Sequence, residues 1–187
     1  MSTKPLVLGL TGPNAAGKGE VAALLREQGF SCHSLSDVVR EEALRRGRTV
    51  SRDDLIRTGN ELRREGGPGA LAERILPRLG CRDVVDSIRN PAEVAVLRRL
   101  PRFVLVGVDA PPEARFLRAR ARKGRGDAVQ DLQAFLAKEA EEDSAEETNQ
   151  RLSATFALRD RTLFNGGSLE DLRGAVRALL RELEGEG

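Results

Sequence analysis

The stretch Gly12-Pro13-Asn14-Ala15-Ala16-Gly17-Lys18-Gly19 decides the fold of this chain. An apolar run, residues 6–10, precedes it, and a segment whose apolar residues have helical spacing follows it. A strand, a glycine loop and a helix start in this order form a phosphate-binding loop. The glycines let several backbone N–H groups point at one anion, and the helix start adds further donors. Lys18 supplies a mobile positive charge for the outer phosphates.

The loop is predicted to hold a nucleotide through all its residues and the one that follows. These are Gly12, Pro13, Asn14, Ala15, Ala16, Gly17, Lys18, Gly19 and Glu20. The usual pattern has Ser or Thr after the lysine, where the hydroxyl helps to hold magnesium. Here Gly19 and then Glu20 take the places after Lys18. The alternative interpretation is a glycine turn that only joins a strand to a helix, and the apolar run before the loop argues against it.

The composition is that of a globular protein. Of the 187 residues, 40% are hydrophobic and 32% are charged, and the net charge is +2. We predict one domain, residues 1–187. The absence of Trp and Tyr argues against base stacking, and no apolar run approaches the length of a membrane span, so we expect neither a nucleic-acid nor a membrane partner. With two cysteines and no signal-like apolar segment, we expect reduced thiols and a cytoplasmic location.

Strands alternate with helices along the whole chain. Apolar runs predict strands at 6–10, 30–35, 84–85, 103–108 and 162–164, and helical spacing predicts the segments between them, including a helix over 146–153. This alternation predicts an α/β fold with a five-stranded parallel sheet between two helical layers. A helical insertion at about 48–80 is predicted to form a subdomain that shapes an acceptor pocket.

Ligands of parallel sheets bind beyond the carboxyl ends of the strands. The phosphate loop, Asp109 and the segment Asp86-Ser87-Ile88-Arg89 should therefore share one edge. Arg89 is a candidate for holding an acceptor phosphate. Asp86 is a candidate for ordering magnesium through water, and its alternative role is that of a helix-capping aspartate.

A basic run is the second informative feature. Arg115, Arg118 and Arg122 are spaced to share a helix face, and Arg125 lies between two glycines. An arginine-rich lid over about 118–128 suits phosphoryl transfer, because guanidinium groups neutralise charge on the transferred group once the lid excludes water. The alternative is a solvated basic helix with affinity for nucleic acid.

Charged groups elsewhere are weaker candidates. Asp37 and Arg40 lie one turn apart at a predicted helix start, where Arg40 is either an acceptor ligand or half of a surface ion pair. Arg63, in the insertion, is a further acceptor candidate. The acidic cluster at 139–147 is interpreted as a solvated face that pairs electrostatically with the basic lid.

The order of these segments resembles the P-loop nucleoside monophosphate kinases of the adenylate kinase type. The resemblance is carried by GKGE, SLSDVVREEA, DSIRNPAEV, RGRGD and NGGSLEDL, and it covers nearly the whole chain. The branch related to dephospho-CoA kinase is more similar still. In the adenylate kinase type a Thr follows the Gly-Lys-Gly ending, and Glu20 replaces it here.

The resemblance implies ATP as co-substrate, Mg²⁺ as metal and a small phosphorylated molecule as acceptor. It implies that Lys18 holds the ATP phosphates, that Asn165 and Gly166 lie beside the adenine, and that Asp37, Arg40, Arg63 and Arg89 surround the acceptor. It also implies catalytic roles for Arg118, Arg122 and Arg125. The favoured acceptor is a (deoxy)nucleoside monophosphate, and dephospho-CoA is the alternative. A non-catalytic ATP-binding regulatory module and a nucleic-acid-associated ATPase stay open.

Overall fold

The computed structural model describes residues 5–121, 131–143 and 146–185. The strands are β1 (Leu6–Thr11), β2 (Ser31–Ser34), β3 (Arg82–Asp86), β4 (Phe103–Asp109) and β5 (Arg161–Phe164). The first helices are α1 (Lys18–Glu27), α2 (Leu35–Arg45), α3 (Arg52–Gly66) and α4 (Ala70–Ile75), which a 3₁₀ turn (Leu76–Arg78) continues. They are followed by α5 (Pro91–Leu97), α6 (Pro112–Ala121), α7 (Leu132–Glu142), α8 (Leu152–Ala157) and α9 (Leu169–Gly185).

The five strands form one parallel sheet in the order β2-β3-β1-β4-β5. The predicted α/β fold with a five-stranded parallel sheet is therefore confirmed. β1 lies at the centre, and the chain builds first toward β2 and then crosses to β4. Such a reversal of direction leaves a crevice at the carboxyl ends of the strands.

Alternation along β1 divides the core between the two faces of the sheet. Leu6, Leu8 and Leu10 pack in one cluster with apolar side chains of α1 and α9. Val7 packs in the other cluster, with side chains of α2, α4 and α5. All four side chains are buried, as expected for a strand covered by helices on both faces. This burial holds the carboxyl end of β1, and the loop that follows it, in a fixed place.

The predicted insertion contains α3 and α4. The Ser51 side chain caps α3 by accepting a hydrogen bond from the Asp54 N–H, and α5 begins with a capping box made by Asn90 and Glu93. α3 packs against α2, and Leu62 and Leu71 join the same core cluster as α2. The role of residues 48–80 as an acceptor-binding subdomain stays a prediction.

The helix predicted over 146–153 was wrong. The helix of this region is α8, Leu152–Ala157, and the chain before it is a turn. Asn90 Nδ2 donates to the carbonyl oxygens of Glu147 at 2.6 Å and Asn149 at 2.9 Å, and the Arg151 N–H donates to the Arg89 carbonyl at 2.8 Å. These tertiary hydrogen bonds replace the ones a helix would supply. None of the helices in the described ranges has the length and apolar character needed to cross a membrane.

Candidate active site

The loop between β1 and α1 is held in its shape by its glycines. Gly12 has φ +136°, and a Cβ there would lie 2.0 Å from the Val108 carbonyl oxygen of β4. Gly17 has φ +106°, and a Cβ there would lie 2.1 Å from the side-chain nitrogen of Asn165. Only glycine fits positions that combine a positive φ with so close a neighbour. Ala15, with φ 58°, is a non-glycine residue in the left-handed region, and such backbone strain concentrates at functional sites.

Lys18 opens α1 and turns back over the loop. Its Nζ donates to the carbonyl oxygens of Gly12 at 2.7 Å and Pro13 at 2.9 Å. The ammonium group therefore lies within the curve of the predicted phosphate loop. Its role toward a nucleotide stays a prediction.

The two residues after Lys18, Gly19 and Glu20, differ from the hydroxyl residues of the common phosphate loop. A Cβ on Gly19 would meet no atom within 4 Å, so space does not exclude a Ser or Thr there. Glu20 is exposed, and its Oε2 lies 3.6 Å from the place that a Cβ on Gly17 would take. A carboxylate therefore lies beside the loop, where the common pattern has hydroxyls.

The turn after β5 closes the other side of the loop. The Asn165 side chain donates to the Ala16 carbonyl oxygen at 2.9 Å, and its backbone N–H donates to the Asp109 carbonyl oxygen at 2.7 Å. Arg118 of α6 donates to the Asn165 carbonyl oxygen at 2.9 Å. Gly166 is exposed next to this contact. The structure thus brings Asn165 and Arg118 together at the phosphate loop, and their roles toward a nucleotide stay predictions.

A cavity of about 540 Å³ opens beside the phosphate loop. Asn14 of the loop lines it, together with residues of α2 and α3 and of the segment after β3. Its apolar wall consists of Leu35, Val39, Val50, Leu55, Ile56 and Leu71. Cavities of this size and mixed lining bind small molecules.

Four arginines line this cavity: Arg40, Arg52, Arg63 and Arg89. Arg40 pairs with Asp37, Arg52 with Glu142 at 2.7 Å, and Arg63 with the buried Glu93 at 2.7 Å. Arg89 has no carboxylate partner within the described part of the chain, and its Nη1 donates to the neutral Gln150 amide oxygen at 2.9 Å. Burial of the Arg89 guanidinium lowers its pKa from the ordinary value, and the Glu142 charge opposes that shift.

These pairings distinguish the predicted acceptor ligands that are already paired with a carboxylate from the one that is not. Asp37 and Arg40 form the ion pair that was the alternative interpretation, although Arg40 still lines the cavity. Arg63 is buried and donates twice to Glu93, so its guanidinium holds α3 to α5. Arg89 is the predicted ligand whose charge is best placed for an anion. Arg122 and Arg125 lie outside the described residues.

Three serines form a hydroxyl cluster at the ends of β2 and β3. The Ser34 and Ser36 hydroxyl oxygens are 2.9 Å apart, and each lies 3.4 Å from the Ser87 hydroxyl oxygen. Ser87 has φ 66°, a strained conformation for a residue other than glycine. Ser36 and Ser87 line the cavity. Sequence reasoning missed this cluster because hydroxyls carry no charge pattern to mark them.

Carboxylates at the strand ends are the available groups for a metal ion. Among the described residues, no group of three or more His, Cys, Asp or Glu side chains could hold one. Asp86 and Asp109 are the last residues of β3 and β4, the strands on either side of β1, and each accepts a hydrogen bond from the next backbone N–H. Mg²⁺ in nucleotide sites is held mainly by phosphate oxygens and waters, with one or two carboxylates. The donor set fits such an ion, with Asp86 as an outer ligand, and the ligand role of Asp86 stays a prediction.

Glu139 of α7 is the largest omission of the sequence reasoning. Its Oε1 accepts a hydrogen bond from the Asn14 N–H at 3.0 Å, and both of its oxygens lie 2.6 Å from Arg115 Nη1. Glu142, one turn further on, pairs with Arg52. The interpretation of the acidic cluster as a solvated face was therefore wrong for these two residues. Their pairing with the phosphate loop and the insertion depends on the fold and leaves no local signal.

Comparison with known proteins assigns the family. Residues 11–136 match the sequence model of the AAA domain family. A UPF0200 protein of Hyperthermus butylicus is 33% identical over 186 residues, covering 97% of each chain. The chain belongs to the UPF0200 family and carries this AAA domain. The match spans the phosphate loop, the cavity and the start of α7.

Solved structures place this UPF0200 chain among P-loop kinases by fold. The crystal structure of TT1252 from Thermus thermophilus is 29% identical, with a TM-score of 0.61 over 96% of this chain and 98% of that one. Shikimate kinase from Bacteroides thetaiotaomicron is 16% identical, with a TM-score of 0.59 over 94% of this chain and 98% of the kinase. The second likeness is one of fold alone. Together with the family match, it confirms the resemblance to P-loop kinases predicted from the motifs.

Proposed function

We propose that this UPF0200 chain transfers the terminal phosphoryl group of ATP to a small phosphorylated acceptor. The observation that carries the proposal is the cavity that Asn14 and Arg89 both line. A phosphate-loop residue and a half-buried cation thereby face the same space. ATP bound to the loop and an acceptor bound in the cavity would face each other within one site. The phosphoryl group would then pass between them without entering bulk water.

The donor side is the loop with Lys18 and Arg118. Lys18 would exchange its two loop carbonyls for phosphate oxygens, which are stronger acceptors because they are charged. Arg118 contacts the Asn165 carbonyl and lies 3.5 Å from the Ala16 carbonyl oxygen, so it approaches the loop from the side of α6. Arg118, Arg122 and Arg125 remain our candidates for neutralising the transferred group.

The acceptor side favours an anion. Three of the four lining arginines are neutralised by carboxylates, and Arg89 is held by a neutral amide. A partly buried cation without a paired carboxylate is stabilised when an anionic ligand arrives. The Ser36 and Ser87 hydroxyls add uncharged donors beside it. A phosphate group of the acceptor satisfies both features.

The rest of the cavity suits a nucleoside. Its aliphatic wall of α2 and α3 side chains offers a slot for a flat base, and about 540 Å³ exceeds the needs of phosphate alone. We therefore favour a (deoxy)nucleoside monophosphate, and dephospho-CoA is the alternative acceptor.

The reaction we propose is a direct in-line transfer. The acceptor phosphate oxygen attacks the terminal phosphorus, and the bond from that phosphorus to the bridging oxygen of ADP breaks. Positioning and charge neutralisation carry such chemistry. Mg²⁺ bound to the phosphates would neutralise charge that develops on the leaving ADP.

A labelled-phosphate transfer assay tests the proposal. The purified chain is incubated with γ-labelled ATP, Mg²⁺ and one acceptor at a time: each ribo- and deoxynucleoside monophosphate, dephospho-CoA, and the matching nucleosides. We expect label in a nucleoside diphosphate and none in the products of unphosphorylated nucleosides. ATP binding without transfer to any acceptor would contradict the proposal and identify a regulatory module. ATPase activity stimulated by nucleic acid would equally contradict it.

Two matched arginine substitutions distinguish an effect on acceptor binding from a general effect of charge. Arg89→Met should raise the acceptor KM at least about tenfold with the ATP KM unchanged, because a charged hydrogen bond is lost. Arg57→Met removes the same charge from an exposed position on α3 outside the cavity lining, and it should leave both constants unchanged.

A further inference from the structure

The acidic helix α7 ties the phosphate loop to the rest of the site. Glu139 accepts a hydrogen bond from the Asn14 N–H, and Glu142, one turn later, pairs with Arg52 at the start of α3. The proposed phosphoryl transfer assigns no role to either carboxylate. Glu139 stands out because it occupies a backbone donor of the phosphate loop itself.

Arg115 makes this contact more than a surface pairing. Its side chain is 8% exposed, and its Nη1 lies 2.6 Å from both oxygens of Glu139. The same Nη1 lies 3.4 Å from the Asn14 carbonyl oxygen. The Arg115 Nε is buried and has no hydrogen-bond partner among the described residues. A buried donor without a partner costs free energy that an additional acceptor would recover.

The position of Asn14 tells which phosphate would reach it. Asn14 lies in the phosphate loop and also lines the acceptor cavity, so it is on the side of the loop that faces the acceptor. In transfer, the terminal phosphate of ATP is the one that faces the acceptor. The Glu139 carboxylate therefore occupies the end of the loop that receives the terminal phosphate. Two anions that share one small site repel each other.

We propose that Glu139 sets the discrimination between nucleoside triphosphate and nucleoside diphosphate. It holds the Asn14 N–H and Arg115 in place of a terminal phosphate, and ATP must displace it to bind fully. ADP lacks the terminal phosphate and binds with Glu139 in place. The chain consequently binds ATP less tightly, relative to ADP, than the loop alone would. This inference rests on the proposed function, since it concerns the same donor site.

The contact of Glu139 with Asn14 and Arg115 would also set the sequence of steps in the catalytic cycle. Displacement of Glu139 leaves Arg115 free to pair with the terminal phosphate. After transfer, the phosphoryl group leaves with the acceptor and the carboxylate returns to the Asn14 N–H. Glu139 is thus a positioning residue that acts through the loop and Arg115.

Titration calorimetry of ATP and ADP on two matched variants tests the inference. Glu139→Gln removes the charge and keeps the shape, and Glu141→Gln removes one charge from an exposed position of the same helix. We expect Glu139→Gln to tighten ATP binding about tenfold, the scale of one charged hydrogen bond, and to change ADP binding less than about twofold. Glu141→Gln should leave the ratio of the two dissociation constants at the wild-type value.

The possible outcomes distinguish a failure of this inference from a failure of the proposed function. If Glu139→Gln binds ATP and ADP in the wild-type ratio, or tightens both equally, the inference is overturned and the proposed function stands. If the wild-type chain binds neither nucleotide, both fail. Should Glu139→Gln not fold, the amide resonance of Asn14 in the wild-type chain gives the answer. It should shift further with a non-hydrolysable ATP analogue than with ADP, and equal shifts would overturn the inference.

Discussion

Asn165 donates its side-chain amide to the carbonyl oxygen of Ala16, 149 residues earlier in the chain, at 2.9 Å. This hydrogen bond fastens the turn after the edge strand β5 to the phosphate loop after the central strand β1. A Cβ on Gly17 would strike the same amide, so this contact requires glycine at position 17. The candidate site is therefore assembled from segments near both ends of the chain.

Replacing Asn165 by Ala should loosen the phosphate loop. We expect a loss of about 1–2 kcal/mol in the free energy of unfolding, since the buried Ala16 carbonyl loses its shorter hydrogen bond and keeps only the one from Arg118 at 3.5 Å. We also expect weaker ATP binding, measured by titration calorimetry. Thr162→Ala, at an exposed position in the preceding strand β5, is the control. Unchanged ATP affinity in Asn165→Ala would show that the turn plays no part in nucleotide binding.

Replacing Lys18 by Ala should abolish phosphoryl transfer and leave the fold intact. The Nζ donates to two carbonyl oxygens of the phosphate loop, where it would contact the ATP phosphates, and we expect the turnover number to fall roughly a hundredfold or more. Thermal unfolding followed by circular dichroism should give a melting temperature close to that of the wild type. Wild-type turnover in this variant would contradict the assignment of the loop.

Replacing Glu20 by Thr should tighten binding of the Mg²⁺ complex of ATP. The change removes a negative charge beside the loop and adds the hydroxyl that the adenylate kinase type carries. Glu20→Gln separates the two effects, because it removes the charge alone. Glu27→Gln, at the far end of α1, controls for the helix charge. The measurement is the ATP dissociation constant with and without Mg²⁺, and a weaker complex with Glu20→Thr would mean that the carboxylate assists the metal.

Replacing Glu93 by Gln should destabilise the whole fold. Glu93 and Arg63 are 0% and 3% exposed, and Glu93 also accepts hydrogen bonds from the N–H groups of Arg89 and Asn90. Removing one partner of a buried ion pair costs about 3–5 kcal/mol. Urea unfolding measures this loss, and Glu113→Gln, on the exposed surface of α6, should cost far less. A loss as small as that of the control would mean that the buried pair contributes no net stability.

Stability should fall in acid as Glu42 takes up a proton. Hydrogen bonds from the Arg45 guanidinium, with help from Arg46, lower the pKa of the Glu42 carboxyl from 4.5 to about 2. Because the pKa is lower in the folded chain, the stabilisation is complete above pH 4.5 and is lost as the pH falls toward 2. Melting temperatures across this window should fall more steeply for the wild type than for Glu42→Gln. Parallel pH profiles would exclude Glu42 as the source.

Much of the fold could be predicted because local patterns and the sheet agree. The apolar run of β1, the glycines after it and the spacing in α1 give the central strand and the loop without further information. The turn at 146–151 could not be predicted in this way. Its backbone bonds with Asn90 and Arg89, and no local pattern reveals partners about 60 residues away.

Residues of the candidate site could be predicted from the sequence where a charge follows a strand end. They were missed where only tertiary contacts bring them to the site. Arg89 was found because it follows a strand end. The charges of Glu139 and Glu142 were visible in the sequence, but their position within an acidic run suggested solvent. Their contacts with Asn14 and Arg52 depend on how α7 packs, which the spacing of its residues does not specify.

The hydrogen bonds that hold residues 146–151 in place have a practical consequence for the design of chimeras between related proteins. Gln150 accepts a hydrogen bond from Arg89, and the Arg151 N–H donates to the Arg89 carbonyl oxygen, so this stretch is held against the cavity that Gln150 and Arg89 both line. A chimera that takes only the segment between α6 and α7 from another protein would keep these contacts and the ligand preference of the cavity. A chimera cut after α8 would replace these contacts as well, and its ligand preference should follow the donor protein.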